Sequence, residues 1–383
     1  MRPRALLAIG ADTRRDDPAG PRRDFTVLAH VLQASVVDRQ DVDRSVSARL
    51  IRRVLGLGPA LAWIAFARSR RFDIVVTDGE HSGIPLALLL RLSRSRVRHV
   101  TIGHRLSSAK KRVFFTLLHL DSRMDRILLH AREQERHARE ELGIAPTRLA
   151  VVPYQVDSQY WCPDATVTEE VLIASAGLEH RDYGTLIDAA RGINARFVIG
   201  AASHWSRHSF AAGPLPPNVE VGQFDYAALR DLYRRAAIVV VPLADVDNQA
   251  GVTAILEAMA TGKAVIVTQS VGQTDVVEDR RRESRGRPRP TSLMRSLATA
   301  RGLELLPNGF YVAPGDAAEL RAAIQYLLDH PDERSRLGRA GRRLVEELCT
   351  VDAFGARISE LIGEVFDDAS REPAALRIER TDA

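Results

Sequence analysis

Apolar residues in this chain fall in short continuous runs that alternate with stretches of helical periodicity. ALLAI (5–9), DIVVT (73–77), HVTI (99–102) and RILL (126–129) lie in the first half. VLIASA (171–176), RFVIG (196–200), IVVVP (238–242), AVIVT (264–268) and FYV (310–312) lie in the second. A run that is apolar throughout and bounded by Gly, Pro or Asp predicts a strand buried on both faces. Strands alternating with helices predict parallel sheets with right-handed crossovers, so the fold class is α/β. VVPYQVDSQYWCPDA (151–165) mixes Pro, Asp, Ser and aromatic residues and reads as a connection between two halves. The expected domains are therefore 1–155 and 156–350. Two such halves should leave a cleft faced by the C-terminal ends of the strands, where open α/β sheets bind ligands.

The helices are legible from their ends. DAAE (316–319) has the spacing of a capping box, and Leu320, Ala323, Ile324, Leu327 and Leu328 follow on one helical face. Pro331 should end that helix, with another over 332–348. VLGLGPALAWIAFA (54–67) is flanked by Arg52, Arg53, Arg68, Arg70 and Arg71. It reads as a buried helix, with an interfacial membrane helix as the alternative. DRRRESRGRPRP (279–290) holds six arginines and two prolines and cannot join a packed core. It reads as a solvated loop, with a basic arm against a phosphate-rich surface as the alternative. The tail 368–383 reads as disordered.

Composition narrows the classes. The 383 residues are 45% hydrophobic and 27% charged, as in a soluble globular protein of two domains. The net charge is +5, and only Lys110, Lys111 and Lys263 among the 54 basic residues are lysines. This excess suits an anionic ligand, a membrane surface or nucleic acid and does not choose among them. Two cysteines, Cys162 and Cys349, argue against a disulfide framework or a zinc site and make a reducing cytosol the default. The apolar run near the N-terminus is too short for a signal-peptide core, and no run of ~18 apolar residues predicts a spanning helix. No Walker motif, G-x-S-x-G elbow or nucleic-acid-binding module is present, so no nucleic-acid partner is expected.

The candidate chemistry centres on QAGVTAILEAMATGKAV (249–265), which follows a strand and the loop LADVDNQ (243–249). Strand–loop–helix order places the helix start at the cleft, where free N–H groups and the helix dipole favour an anion. Gly251 admits close approach to the backbone, and Thr253 adds a hydroxyl. Glu257 lies among Ile255, Leu256, Met259 and Ala260, where a carboxylate should accept from hydroxyls such as those of a ribose. A solvent-facing glutamate is the alternative. TIGHRLSSAKKR (101–112) and DGEHSG (78–83) also follow strands. They offer His104, Lys110 and Lys111, and Glu80 and His81. Asp245 and Asp247 fit turn chemistry better than a metal site.

EAMATGKAV (257–265) resembles the donor-site run of the retaining glycosyltransferases of family 4, which have the GT-B fold. There a first Glu precedes a second by eight positions and leads into E-A-M-A-x-G-x-P-V; here Gln249 replaces the first. VVPYQVDSQYW (151–161) is similar to the family's hinge phrase. DYAALRDLYRRAAIVVV (225–241), GQTDVV (272–277) and NGFYVAPGDAAELRAAI (308–324) match further segments in order. The match is strong over about 150–350 and vague before it.

The resemblance implies two Rossmann-like domains, an acceptor-side domain over 1–155 and a donor domain over 156–350, with a helix at 351–367 crossing back to the first. It implies transfer of a sugar from a nucleotide diphosphate sugar to an acceptor hydroxyl with retained configuration and no metal or cofactor. Gly251, Val252, Thr253 and Glu257 are then the donor-binding residues. Gln249 and His104 face the donor sugar, and Arg181 is the diphosphate cation, since Leu178 stands at the family's usual arginine. Glu80, His81 and Lys110 fall on the acceptor side. The acceptor is a glycan, a lipid or a small molecule. The expected location is cytoplasmic, with peripheral contact at the inner membrane face as an extension. Gln249 and Leu178 keep an inactive nucleotide-sugar-binding protein open, and a sugar-nucleotide epimerase is a third reading.

Overall fold

The computed structural model describes residues 3–13, 17–202, 215–279, 281 and 292–371. Most of the arginine-rich segment 279–290 and the end of the tail lie outside the described residues. Contacts divide the chain into two units. Unit 1 comprises residues 1–17, 23–152 and 354–383, and unit 2 comprises 18–22 and 153–353.

Unit 1 has a six-stranded parallel sheet of β1 (Ala5–Ala8), β2 (Ser35–Val37), β3 (Ile74–Asp78), β4 (Arg98–Gly103), β5 (Arg126–Leu129) and β6 (Leu149–Val151). The order is β2-β1-β3-β4-β5-β6. Its helices are α1 (Asp24–Leu32), α2 (Arg39–Arg44), α3 (Val46–Leu55), α4 (Leu57–Ser69), α5 (Glu80–Leu92), α6 (Ala109–Thr116) and α7 (Arg132–Glu140). Alternate strand residues point to opposite faces. Leu7, Ile9 and Val76 pack with Phe25 and Leu28 of α1 and with Phe354, Ile358 and Leu361. Leu6, Ala8 and Val75 pack instead with Leu61, Ile64 and Leu86. The residues from Phe354 onward belong to the final helix of the chain, which begins in unit 2 at Val351.

Unit 2 has a second six-stranded parallel sheet, of order β12-β11-β10-β7-β8-β9. The strands are β7 (Leu172–Ala176), β8 (Arg196–Ala202), β9 (Val219–Gln223), β10 (Ile238–Val241), β11 (Ala264–Thr268) and β12 (Gly309–Val312). Helices α8 (Tyr183–Ala190), α9 (Tyr226–Arg235), α10 (Val252–Ala260), α11 (Leu293–Ala300), α12 (Ala317–Asp329) and α13 (Pro331–Leu348) surround it, and α14 (Val351–Arg371) is the final helix. Ile173, Ile238, Ile266 and Phe310 pack with Leu186, Leu320 and Leu327. A side chain at Gly338 would collide with the Gly262 carbonyl, so its absence lets α13 approach the end of α10.

The apolar run at 54–67 is interrupted. Gly56, at φ 93°, caps α4, and Val54 and Leu55 belong to α3. Ala60, Leu61, Ala62, Ile64 and Ala65 are buried in unit 1, so α4 is a core helix. The capping box at Asp316 is half formed. Asp316 accepts from the Glu319 N–H at 2.7 Å, but the Glu319 carboxylate turns to the Ala313 N–H at 2.8 Å. No helix among the described residues is long and apolar enough to cross a membrane.

Candidate active site

Strand order in unit 2 reverses between β7 and β10, and the loops leaving adjacent β7, β10 and β11 meet there. Arg181, in the first loop, pairs with Leu243, in the second, as an isolated bridge. Asp182 N–H donates to the Pro242 carbonyl at 3.1 Å, and Ala244 N–H to that of His180 at 2.9 Å. The third loop is tied in the same way: Gln273 Nε2 donates to the Ala250 carbonyl at 2.9 Å. Val271 N–H donates to Asp245 Oδ1 at 3.0 Å, which gives Asp245 a structural task.

Gly251 forms the N-cap of α10 at φ 75°, and no side chain caps the helix. A Cβ there would lie 2.8 Å from Val241 Cγ1 and 3.3 Å from Arg181 Nη1. Ile255 N–H bonds to the Gly251 carbonyl at 3.1 Å, so the amides of residues 252–254 precede the first intrahelical bond. The Arg181 side chain is held beside this end by Nε donating to the Ala176 carbonyl at 3.1 Å and Nη1 to that of Glu179 at 2.9 Å. Gly177, at φ 111°, has no room for a Cβ against this guanidinium. Burial lowers the Arg181 pKa, with Tyr183, Tyr233 and Glu257 acting against it; an arginine so placed remains a cation at neutral pH.

Glu257 is only 7% exposed, facing inward from α10. Its charge acts on Arg181 and on the buried Tyr233, whose pKa is raised well above the ordinary value by burial first and Glu257 second. Around the same helix start, Asn248 Oδ1, both amide atoms of Gln249, Ser270 Oγ and Gln273 Oε1 are enclosed without a hydrogen-bond partner. A buried polar group left unpaired costs about 1–3 kcal/mol. Donors and acceptors concentrated beside a helix N-terminus and an arginine suit a ligand that is both anionic and rich in hydroxyls.

Unit 1 gathers a second polar cluster at the ends of β3, β4 and β5. His104 Nε2 lies 3.2 Å from Asp78 Oδ1, and its ring stacks on His130 at 5.8 Å between centroids. Burial alone would lower the His104 pKa, but the Asp78 hydrogen bond and the charges of Asp78, Glu80 and Asp24 outweigh it and raise it. Asp24 is itself raised, by burial and then by Asp78. Glu80 accepts from His104 N–H at 2.9 Å and from Lys111 Nζ at 2.6 Å. Burial would raise the Glu80 pKa, and Lys111 brings it below the ordinary carboxylate value. Gln134 Nε2 donates to the His104 carbonyl at 2.6 Å, fixing the loop from α7.

Residues 168–344 match the family model described as "Glycosyl transferases group 1". This segment is similar to the group 1 glycosyl transferases. The chain has the GT-B fold, since its two α/β units match solved structures along nearly their whole length. A glycosyltransferase from Rickettsia africae ESF-5 is 14% identical, with a TM-score of 0.63 over 95% of this chain and 98% of that one. Sucrose-phosphate synthase from Thermosynechococcus elongatus is 17% identical, with a TM-score of 0.63 over 95% and 89%. Anabaena HepE, solved in complex with UDP and glucose, is 12% identical, with a TM-score of 0.63 over 94% and 99%. No curated protein matches the chain.

Within the matched segment, Arg181 lies beside Gly251 and Val252 at the start of α10, after Gln249, with Thr253 exposed one position on and Glu257 further along the helix acting on Arg181. Leu178, at the family's arginine position, packs against the hydrophobic core. Lys263 is held by Glu169 at 3.1 Å. In unit 1, Lys110 is exposed while Lys111 makes the contact with Glu80. The Glu80 carboxylate is occupied by donors of its own unit and positions the His104 loop. His81 is exposed, with Nε2 3.5 Å from where a Gly10 Cβ would sit. Sequence reasoning missed Asn248, Ser270, Gln273, Asp78 and Asp24. Asn248, Gln273 and Asp78 stood inside stretches the sequence singles out, while Ser270 lies in a loop and Asp24 opens α1; their grouping depends on the fold.

Proposed function

We propose that the chain transfers a sugar from a nucleoside diphosphate sugar to an acceptor hydroxyl, retaining the anomeric configuration, without a metal ion. One observation carries the reading: an uncapped helix start, the Arg181 cation and the buried Glu257 carboxylate share one end of unit 2. The amides of residues 252–254 and Arg181 receive the diphosphate, where fixed dipoles and charge stabilise the leaving group. Glu257 accepts from the ribose hydroxyls, and Gln249 with Asn248 and Gln273 meets the hydroxyls of the sugar. The bond from the anomeric carbon to the diphosphate breaks as the acceptor oxygen bonds to that carbon, and the acceptor proton passes to the leaving phosphate. The His104–Asp78 pair of unit 1 is assigned to hydroxyl recognition on the acceptor side, the acceptor being a glycan, a lipid or a small molecule.

Incubation with a panel of nucleotide sugars and candidate acceptors tests this. Acceptor-dependent release of nucleoside diphosphate is expected. Gln249 and the core-packed Leu178 favour a second reading, donor binding without transfer, which predicts tight binding and no release. Interconversion of the donor with no acceptor added would instead identify an epimerase.

A further inference from the structure

Helix α3 carries its apolar stripe on the outside. Only Ala48 is fully buried. Val46, Leu50 and Val54 recur every four residues along one face and, with Leu55 at the end, are 65–74% exposed. Scattered apolar side chains are ordinary on a surface, but a row along one helix is an interaction surface in search of an apolar medium. Arg49 and Arg53 precede Leu50 and Val54 along the edge of the stripe and are exposed, as is Arg44 just before the helix. Among the described residues these three arginines take part in no ion pair, whereas Arg52 is held by Asp43 at 2.5 Å. Free guanidiniums bordering an apolar row complement a surface with anionic groups outside and hydrocarbon beneath, as at the boundary of a phospholipid bilayer.

We propose that α3 docks unit 1 on an anionic lipid surface, with Val46, Leu50, Val54 and Leu55 entering the acyl boundary and Arg44, Arg49 and Arg53 meeting phosphates. The buried α4, the more apolar helix in sequence, takes no part. This goes beyond the transfer reading, and donor binding resides in unit 2, so either claim can fail while the other stands.

Co-sedimentation of the full chain with phosphatidylcholine vesicles, and with vesicles containing about 30% phosphatidylglycerol, tests it. Binding to the anionic vesicles alone is expected, weakened by salt. Leu50→Asp with Val54→Asp should reduce partitioning about tenfold or more. Arg49→Ala with Arg53→Ala should reduce it by a similar factor, at roughly fivefold per arginine. An unchanged thermal melt and nucleotide affinity would show both variants folded. The proposal is overturned if the wild type stays in solution with anionic vesicles, or if the Asp variant sediments as the wild type does. It is equally overturned if the stripe variants abolish a dimer seen by sedimentation velocity and leave vesicle binding intact.

Discussion

Glu257 was readable from the sequence because a single carboxylate interrupts an otherwise apolar helix, and burial there demands partners. Asn248, Ser270 and Gln273 were not, since polar loop residues are common and these come from two loops that meet only after folding. Replacing Glu257 with Ala should weaken nucleotide-sugar binding by about 1–3 kcal/mol, read by calorimetric titration. Gln249→Met should lower kcat/KM by about 10–100-fold while nucleoside diphosphate affinity changes little, because Gln249 is assigned to the sugar. His99, in unit 1, gives a pH prediction. It is fully buried, with Nε2 3.1 Å from Thr77 Oγ1, and burial pushes its pKa down to about 4. The folded state therefore resists protonation that the unfolded chain accepts near pH 6.5. Stability from this difference is present above pH 6.5 and is lost as pH falls toward 4, by on the order of 3 kcal/mol. His99→Phe should flatten that part of a pH–stability curve measured by denaturant unfolding.

At the scale of elements, nine strands were legible from their apolar runs and three others were not. β2, β6 and β9 escaped; each is a short or weakly apolar strand at a sheet edge, whereas the fourth edge strand, β12, is buried throughout and was legible. An edge strand needs less apolar surface, and β9, VEVGQ, has mostly exposed or half-buried residues after its first. The break between α3 and α4 was hidden because the apolar run continues through Gly56, whose positive φ ends one helix and starts the next. Gly251 acts similarly at α10. Gly251→Ala would place a methyl 2.8 Å from Val241 Cγ1 at a left-handed φ, and should cost about 1–2 kcal/mol of stability. It should also lower donor affinity, since the amides of residues 252–254 would shift; thermal unfolding and titration on the same sample read both effects.

Across the molecule, the family model covers 168–344 while structural similarity extends over 94–95% of the chain. Helix α10 keeps a compact local pattern; the polar cluster of unit 1 draws on β3, β4 and β5 without fixed spacing. That residues 18–22 belong with unit 2 was also invisible, because their contacts are far away in sequence. Arg22 holds the buried Asp157 at 3.0 Å and Asp352 at 2.9 Å. Burial would raise the Asp157 pKa, but Arg22 lowers it, so that stabilisation is present above pH ~4 and lost as pH falls through the folded pKa. Arg22→Ala should destabilise the protein by about 1–2 kcal/mol at neutral pH, with the difference shrinking in acid.

The central claim concerns what the start of α10 holds, and a crystal structure with a bound nucleoside diphosphate sugar tests it most directly. The diphosphate should lie against the amides of residues 252–254 beside Arg181, with ribose hydroxyls on Glu257. A nucleotide bound elsewhere in the chain, or one whose ribose leaves Glu257 untouched, would contradict the account.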